Sequence, residues 1–424
     1  MAYRTTSWKN TDIGKIPSDW DLNLFKNTFT KYPTNSFTRD EMNDFGGSFQ
    51  NIHYGDILTK YGAILDFNKY TVPYLNSFIS KTYKTVQNGD IIIADTAEDE
   101  TVGKCVEIYD LPQNIKVLSG MHTMFCRPTN YFYPRFLGYY MNSRVYHNQL
   151  LPYITGTKVS AVSKTDIDKT YILAPSIPEQ QKIAEVLTDI DDLIAELEHV
   201  RDKKIAIKTG VMQELLTGKR RLLGFNKPWK EVELGKIGTF DTCSGKSQHQ
   251  DTFGKYLIVD MGAVSSDGKL IACKYSNYAH DFLKAGELVM PKDDIGGGLI
   301  IGKTAVVPEN NRYIMGDHVF KITVSDTENP YFISAMINSD IVSKNIHKLV
   351  TGSAQLGLAK SNIKHVTIKV PTDKLEQTAI ANTLTDMDDE ISAISDKINK
   401  YKQIKSGVAG ELLSGRIRLV KPQE

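Results

Sequence analysis

The residues Gly297-Gly298-Leu299-Ile300-Ile301-Gly302-Lys303-Thr304 fit the phosphate-loop pattern G-x-x-x-x-G-K-[ST] letter for letter. Such a loop wraps backbone N–H groups round a phosphate and passes it to the N-terminus of a following helix. Here Ala305-Val306-Val307-Pro308 follows, which is β-like and ends at a proline. The structural context is wrong, so a P-loop ATPase using Lys303 and Thr304 is kept only as the rival enzymatic reading. Adenine methylation requires an Asn/Asp-Pro-Pro-aromatic loop. The nearest tetrad, Asn329-Pro330-Tyr331-Phe332, has one proline, and a helix N-cap followed by proline explains it. Asp56 with Lys60, and Asp90 with Asp95, flank β-type runs as nuclease carboxylates do, but the second half of the chain does not repeat the set. The nine histidines form no H-x-x-x-H and the four cysteines no C-x-x-C, so no metal site is expected. These residues predict a chain without an active site of its own.

Polar loops suit recognition better than catalysis. Thr155–Ser163 and Thr351–Lys360 carry small hydroxyls, Gln and Lys, the side chains that meet phosphates and base edges. The DNA-contact candidates there are Thr155, Lys158, Ser160 and Lys164, with Thr351, Ser353, Gln355 and Lys360. Lys60-Tyr61-Gly62 and the stretch holding Lys246 and Gln248 add four more candidates. A solvated loop is the plain alternative for each. Net charge is only +1, so a nucleic-acid site has to be local and not a global positive field. No run of about eighteen apolar residues is present, and the N-terminal residues show no apolar core of a signal peptide. A cytoplasmic protein without a membrane segment is expected.

The elements that must position these loops are duplicated. Glu179-Gln180-Gln181-Lys182-Ile183-Ala184 returns as Glu376-Gln377-Thr378-Ala379-Ile380-Ala381. At the same spacing Leu187-Thr188-Asp189-Ile190-Asp191-Asp192 returns as Leu384-Thr385-Asp386-Met387-Asp388-Asp389, and Glu214–Gly218 as Glu411–Gly415. In the second copy Ile380, Leu384, Met387, Ile391, Ile394, Ile398 and Tyr401 alternate steps of four and three, the seam of a coiled coil. Gly218 and Gly415 stand where a glycine would end each helix. Lys219, Arg220, Arg221, Arg416 and Arg418 then suit the negative end of the helix dipole. Each helix should run about 38 residues, roughly 57 Å, and its apolar seam wants the other copy as partner. The acidic early turns suit the dipole too. A partner-docking face is the sharper reading, through Asp189, Asp192, Asp386 and Asp389, with Gln180 and Gln377 at the helix openings.

The flanking regions echo one another more faintly. Gly89-Asp90-Ile91-Ile92-Ile93 is answered by Gly286-Glu287-Leu288-Val289-Met290, Gly120-Met121-His122 by Gly316-Asp317-His318, and Thr155-Gly156 by Thr351-Gly352. A helix is expected over Pro134–Asn148 and a strand over Asp166–Leu173. The order is globule, helix, globule, helix, with boundaries at 1–177, 178–222, 223–371 and 372–424.

The doubled element resembles the specificity (S) subunit of type I restriction-modification systems, over essentially the whole chain. Pro175, Glu179, Gln180, Ile183 and Ala184 match the first conserved region, and Glu376, Gln377, Ile380 and Ala381 the second. The second copy departs at Asp373-Lys374-Leu375, where the proline is missing. The resemblance implies an α+β fold with a pseudo-twofold internal repeat. Two mixed α/β target recognition globules would be held apart by a pair of long antiparallel coiled-coil helices. It implies a non-catalytic reader of a split double-stranded DNA target that binds two modification (M) subunits and motor-nuclease (R) subunits. S-adenosylmethionine, for adenine-N6 methylation, belongs to the M subunits. ATP and Mg belong to the R subunits, and this chain carries no cofactor. A coiled-coil interaction scaffold without DNA reading is the remaining alternative.

Overall fold

The computed structural model describes residues 2–76, 83–156, 158–243, 249–353 and 355–421. Two 40-residue helices, α1 (Ile177–Leu216) and α2 (Lys374–Leu413), carry the repeat. Compactness divides the chain into one unit of Met1–Glu198 with Lys397–Glu424 and another of His199–Asp396. The division therefore runs through both helices, where the sequence places boundaries at the helix ends. Each unit owns the early part of one helix and the late part of the other.

The first unit is built on a five-stranded sheet in the order Phe29–Tyr32, Thr123–Pro128, Ile91–Ala94, Cys105–Tyr109, Ile64–Asp66. Only the last pairing is parallel. Ile91 and Ile93 join a core with Phe25, Phe136 and Tyr140; Ile92 and Ala94 join a second with Ile57 and Phe125. An uninterrupted apolar strand is thus the mark of a sheet covered on both faces. The expected helix over Pro134–Asn148 is two helices, Phe136–Met141 and Arg144–Leu150. Ser143 caps the second by accepting the Tyr146 N–H, and the Asn142 amide binds both backbone groups of Cys105. The expected strand at Asp166 is also corrected: Ser163 caps a short helix, Lys164–Ile167, and the strand begins only at Tyr171.

The second unit repeats this plan with four strands, Gly238–Asp241, Val319–Val324, Leu288–Pro291 and Ala305–Val306, all antiparallel. Helices Pro330–Asn338 and Asp340–His347 follow, the first N-capped by Asn329 as its sequence predicts. Asn338 binds both backbone groups of Thr304 as Asn142 binds those of Cys105.

Within each unit the two helices run antiparallel. Ile183 and Leu187 of α1 share a core with Leu412 and Leu413 of α2 in the first unit. Leu215 and Leu216 share one with Ile380, Ala381 and Leu384 in the second. Lys405 pairs with Asp191 at 2.6 Å in one, and Lys208 with Asp388 at 2.5 Å in the other. Helix pairing therefore accounts for the middle carboxylate of each acidic run.

Glu179 and Glu376, at the helix starts, are fully buried, and Arg418 and Arg221 reach them with N–O distances of 2.6 Å. Each guanidinium also lies over a tryptophan, Arg418 over Trp20 at 5.4 Å and Arg221 over Trp229 at 5.7 Å. The helix dipole is thus not the role of these two arginines; each locks a helix start to the segment that follows the other helix.

Candidate nucleic-acid interface

Each unit has a small second sheet in which two parallel strands end side by side. In the first unit these are Gln50–Ile52 and Val117–Ser119; in the second, Tyr256–Val259 and Tyr313–Met315. The chain turns off them at Gly120 and Gly316, whose N–H groups bind the carbonyls of Ile52 and Val259. A Cβ at either glycine would lie 2.6 Å from that carbonyl oxygen, so the Gly-x-His spacing has a steric basis. It delivers His122 and His318 to equivalent places on an exposed rim.

The central sheet supplies the other side of the rim. Asp95 and Lys292, one residue beyond the strands Ile91–Ala94 and Leu288–Pro291, donate their backbone N–H to the carbonyls of His122 and His318. The next residues face the imidazoles. Thr96 Oγ1 lies 3.4 Å from His122 Nδ1, and Asp293 Oδ2 lies 2.8 Å from His318 Nδ1. Asp95 also stands 3.5 Å from His122, and Lys292 lies 2.9 Å from Asp293. Burial pushes the Asp293 carboxyl up, but hydrogen bonds from Lys292 and His318 prevail and hold it below its ordinary range. Behind His122 sits His53, whose pKa burial lowers, and the Tyr54 ring meets His122 edge-on at 5.3 Å.

The two Thr-Gly loops are the same hairpin, laid along this rim. Thr155 bridges Ala161, and Ser160–Ala161 pairs with Thr96–Ala97. Thr351 pairs with Gly357, which in turn pairs with Asp293. Gly156 has φ 112° and Gly352 φ 102°, and a Cβ on either would run into the carbonyl of Val159 or Gln355. Lys158, Ser353 and Gln355 are exposed at the tips. Lys164 is exposed and Lys360 half-buried, each opening the short helix that leaves its hairpin.

The other candidates fall differently. Tyr61 is 2 % exposed and packs on Tyr70 in the core, which corrects its reading as a DNA contact. Lys60 is exposed, with its amine 2.8 Å from the Thr71 carbonyl. Lys246 and Gln248 lie outside the described residues. Gln180 and Gln377 are buried. Each accepts a backbone N–H from its own unit (Tyr133, Asn329) and donates to a carbonyl just before the helix (Pro175, Pro371). Both fasten a helix to its globule and present no face to a partner, which corrects that expectation. Asp192 pairs with Lys69 at 2.5 Å, while Asp189, Asp386 and Asp389 are exposed and, among the described residues, unpaired. The phosphate-loop pattern leads into the strand Ala305–Val306, with Thr304 buried against Ser334 and Lys303 half-buried. No helix receives a phosphate there. The Gly-x-His echo is legible in the sequence, but no local pattern marks either histidine as a site residue.

The rim offers His, Thr, Asp, Lys, Ser and Gln, which match base edges and phosphates in hydrogen-bonding character. Among the described residues no group of three or more His, Cys, Asp or Glu could hold a metal ion. The family model of the type I restriction modification DNA specificity domain matches residues 11–208 and again 226–403, one match for each copy of the rim. The chain belongs to this family. It is 25% identical, over 98% of both chains, to a Methanocaldococcus jannaschii protein described as the specificity subunit of the type I restriction enzyme MjaX. The fold is similar to that of the S subunit of the type I restriction-modification system of M. genitalium. That likeness has a TM-score of 0.56 and 11% identity, and covers 96% of this chain and 98% of the other. A chain from a structural study of complex assembly and conformational transition in the type I system gives a TM-score of 0.57 and 16% identity. There 94% of this chain and 98% of the other are covered. No described helix of the chain is long and apolar enough to cross a membrane.

Proposed function

We propose that this chain is the non-catalytic reader of a bipartite duplex target, each unit reading one half through its His-bearing rim and Thr-Gly hairpin. The observation that carries this is the rim itself, built twice on one backbone plan with different side chains. Asp95-Thr96 stands in one unit where Lys292-Asp293 stands in the other. A shared scaffold with exchanged hydrogen-bonding groups is what two half-sites of different sequence require. A 40-residue helix is roughly 60 Å long, enough to span one or more DNA turns of about 34 Å. The helices would set the gap between half-sites and seat two modification subunits, with Asp189, Asp386 and Asp389 as exposed contacts. Those subunits would bring S-adenosylmethionine and methylate adenine N6, and motor-nuclease subunits would bring ATP and Mg. The cytoplasm, where the chromosome lies, suits that work.

The test is a domain exchange read by mapping methylated adenines. Replacing residues 223–371 with the corresponding globule of another family member should change one half-site and leave the other intact. A change in both halves would count against one unit reading one half.

A further inference from the structure

Two phenylalanines stand almost entirely in solvent, Phe45 at 99 % and Phe253 at 91 % relative exposure. Their surroundings in the sequence, Asn43-Asp44-Phe45-Gly46-Gly47 and Asp251-Thr252-Phe253-Gly254, share the order Asx-x-Phe-Gly but do not fall at the spacing of the helix repeat. Their structural settings nonetheless match. Each lies in the loop that enters the strand of the small sheet leading to the rim, Gln50–Ile52 or Tyr256–Val259. Each is held by an Asx side chain two residues earlier: Asn43 Oδ1 accepts the Phe45 N–H at 2.8 Å, and Asp251 Oδ1 accepts that of Phe253 at 3.0 Å. That side chain is in turn fixed by an asparagine just past a neighbouring strand. Asn43 donates to Asn76 at 2.5 Å, and Asn277 donates to Asp251 at 2.7 Å. A glycine then lays the loop against that strand. A Cβ at Gly47 would lie 2.8 Å from the Leu75 carbonyl oxygen, and one at Gly254 would lie 2.6 Å from the Ser276 Cα.

Exposing a whole phenyl ring forgoes the stabilisation that its burial would contribute. Both units do so, and both hold the backbone beneath the ring in place. We propose that Phe45 and Phe253 are wedges that enter the base stack of bound duplex DNA, one in each half-site. This rests on the reading of each unit as a DNA reader. Continuity with the rim places the wedge. The strand between loop and rim has three or four residues, roughly 10–13 Å at 3.3 Å per residue, close to the width of a major groove. One duplex lying on the rim therefore also covers the ring. The size of the apolar patch, and not its charge, favours DNA over a protein surface. Asn43, Asp44, Ser48, Asp251, Thr252 and Lys255 flank the rings. A single apolar side chain among polar ones is far too small for an interface that buries about 800 Å² per partner, but it is the form of an apolar wedge between base steps. Stacking accepts any base, so the same residue type serves both units although their rims differ. Unstacking near the target also lowers the cost of extruding the adenine to be methylated.

The test uses the full chain in complex with its modification subunits. The probe is a duplex carrying the site mapped by methylation, with 2-aminopurine placed in turn at each step of both half-sites. Wild type should raise the fluorescence at one step in each half-site. Phe45→Ala should abolish the rise in one half-site and Phe253→Ala in the other, each with roughly tenfold weaker binding. Leucine at either position, which keeps an apolar wedge, should retain most of the signal. A specific wild-type complex whose fluorescence and affinity are unchanged by both alanines overturns the wedge alone. Alanine variants that lose modification subunits on sedimentation also overturn it, because the rings then dock protein. A wild-type complex without sequence-specific binding overturns the reading of the chain as a DNA reader, and the wedge with it.

Discussion

Glu107 shows how one side chain ties a sheet to a helix in the first unit. It lies fully buried within Cys105–Tyr109 and accepts the N–H groups of Arg135 at 2.5 Å and Gly138 at 2.8 Å. It thereby serves the start of the helix Phe136–Met141, where four N–H groups lack helical partners. Gly138 permits the approach, since a Cβ there would lie 2.9 Å from that of Glu107. Burial dominates over these hydrogen bonds and pushes the carboxyl up to about 7. Between its ordinary value and 7 the folded chain holds a proton that the unfolded chain has released. The stability this supplies is therefore full at low pH and is lost as pH rises towards 7. Glu107→Gln does not titrate, so wild type should lose about 3 kcal/mol relative to it between pH 4.5 and 8. The check is denaturant unfolding of both proteins across that range, and parallel profiles would count against the assignment.

At the scale of the element, the ends of the long helices are the sensitive points. Gly218 and Gly415 have φ 69° and 71°, the left-handed conformation that the repeat predicts for them. Their surroundings differ. A Cβ at Gly218 would touch the Trp229 ring at 3.6 Å, an ordinary contact, whereas one at Gly415 would press on Pro17 and on Trp20 at 3.0 Å. Gly218→Ala should cost about 1 kcal/mol from backbone conformation alone. Gly415→Ala should cost more, roughly 2–3 kcal/mol, as Pro17 and Trp20 are pushed aside. Equal losses in thermal unfolding would show that the tryptophan packing does not matter. The interhelical pairs Lys405–Asp191 and Lys208–Asp388 are half-exposed and set the antiparallel register more than they stabilise it.

At the scale of the whole molecule, the first unit is discontinuous in sequence and the second is not. Residues 397–424 give the first unit Leu412 and Leu413 for its core, and Arg418 for Glu179 and Asp19. They also give it Ile417–Arg418 to pair with Tyr3–Arg4. A chain ending at Asp396 leaves Glu179 buried without its guanidinium, and loss of one partner of a buried pair costs about 3–5 kcal/mol before the core loss is added. Hydrogen exchange should then show the first unit unprotected and His199–Asp396 still protected. Full protection of both would refute this dependence.

The sequence by itself determined the repeat, both long helices, their glycine ends, the β-type run between Asp90 and Asp95, and the family. These follow from periodicity and local conformational preference, which neighbouring residues carry between them. It also showed that Gly297–Thr304 leads into a strand and not into a helix. Tertiary structure decided what each polar residue touches. Arg418 meets Glu179 across 239 positions of chain, and no pattern within either segment announces it. Gln180 and Gln377 read as surface residues until their burial assigned them to fastening the helices. Tyr61, beside an exposed lysine, went inward. His122 and His318 became site residues because two sheets end at the same rim, and Phe45 and Phe253 because matching turns leave their rings in solvent. Local patterns fix elements; exposure and partnership arise only when distant segments pack.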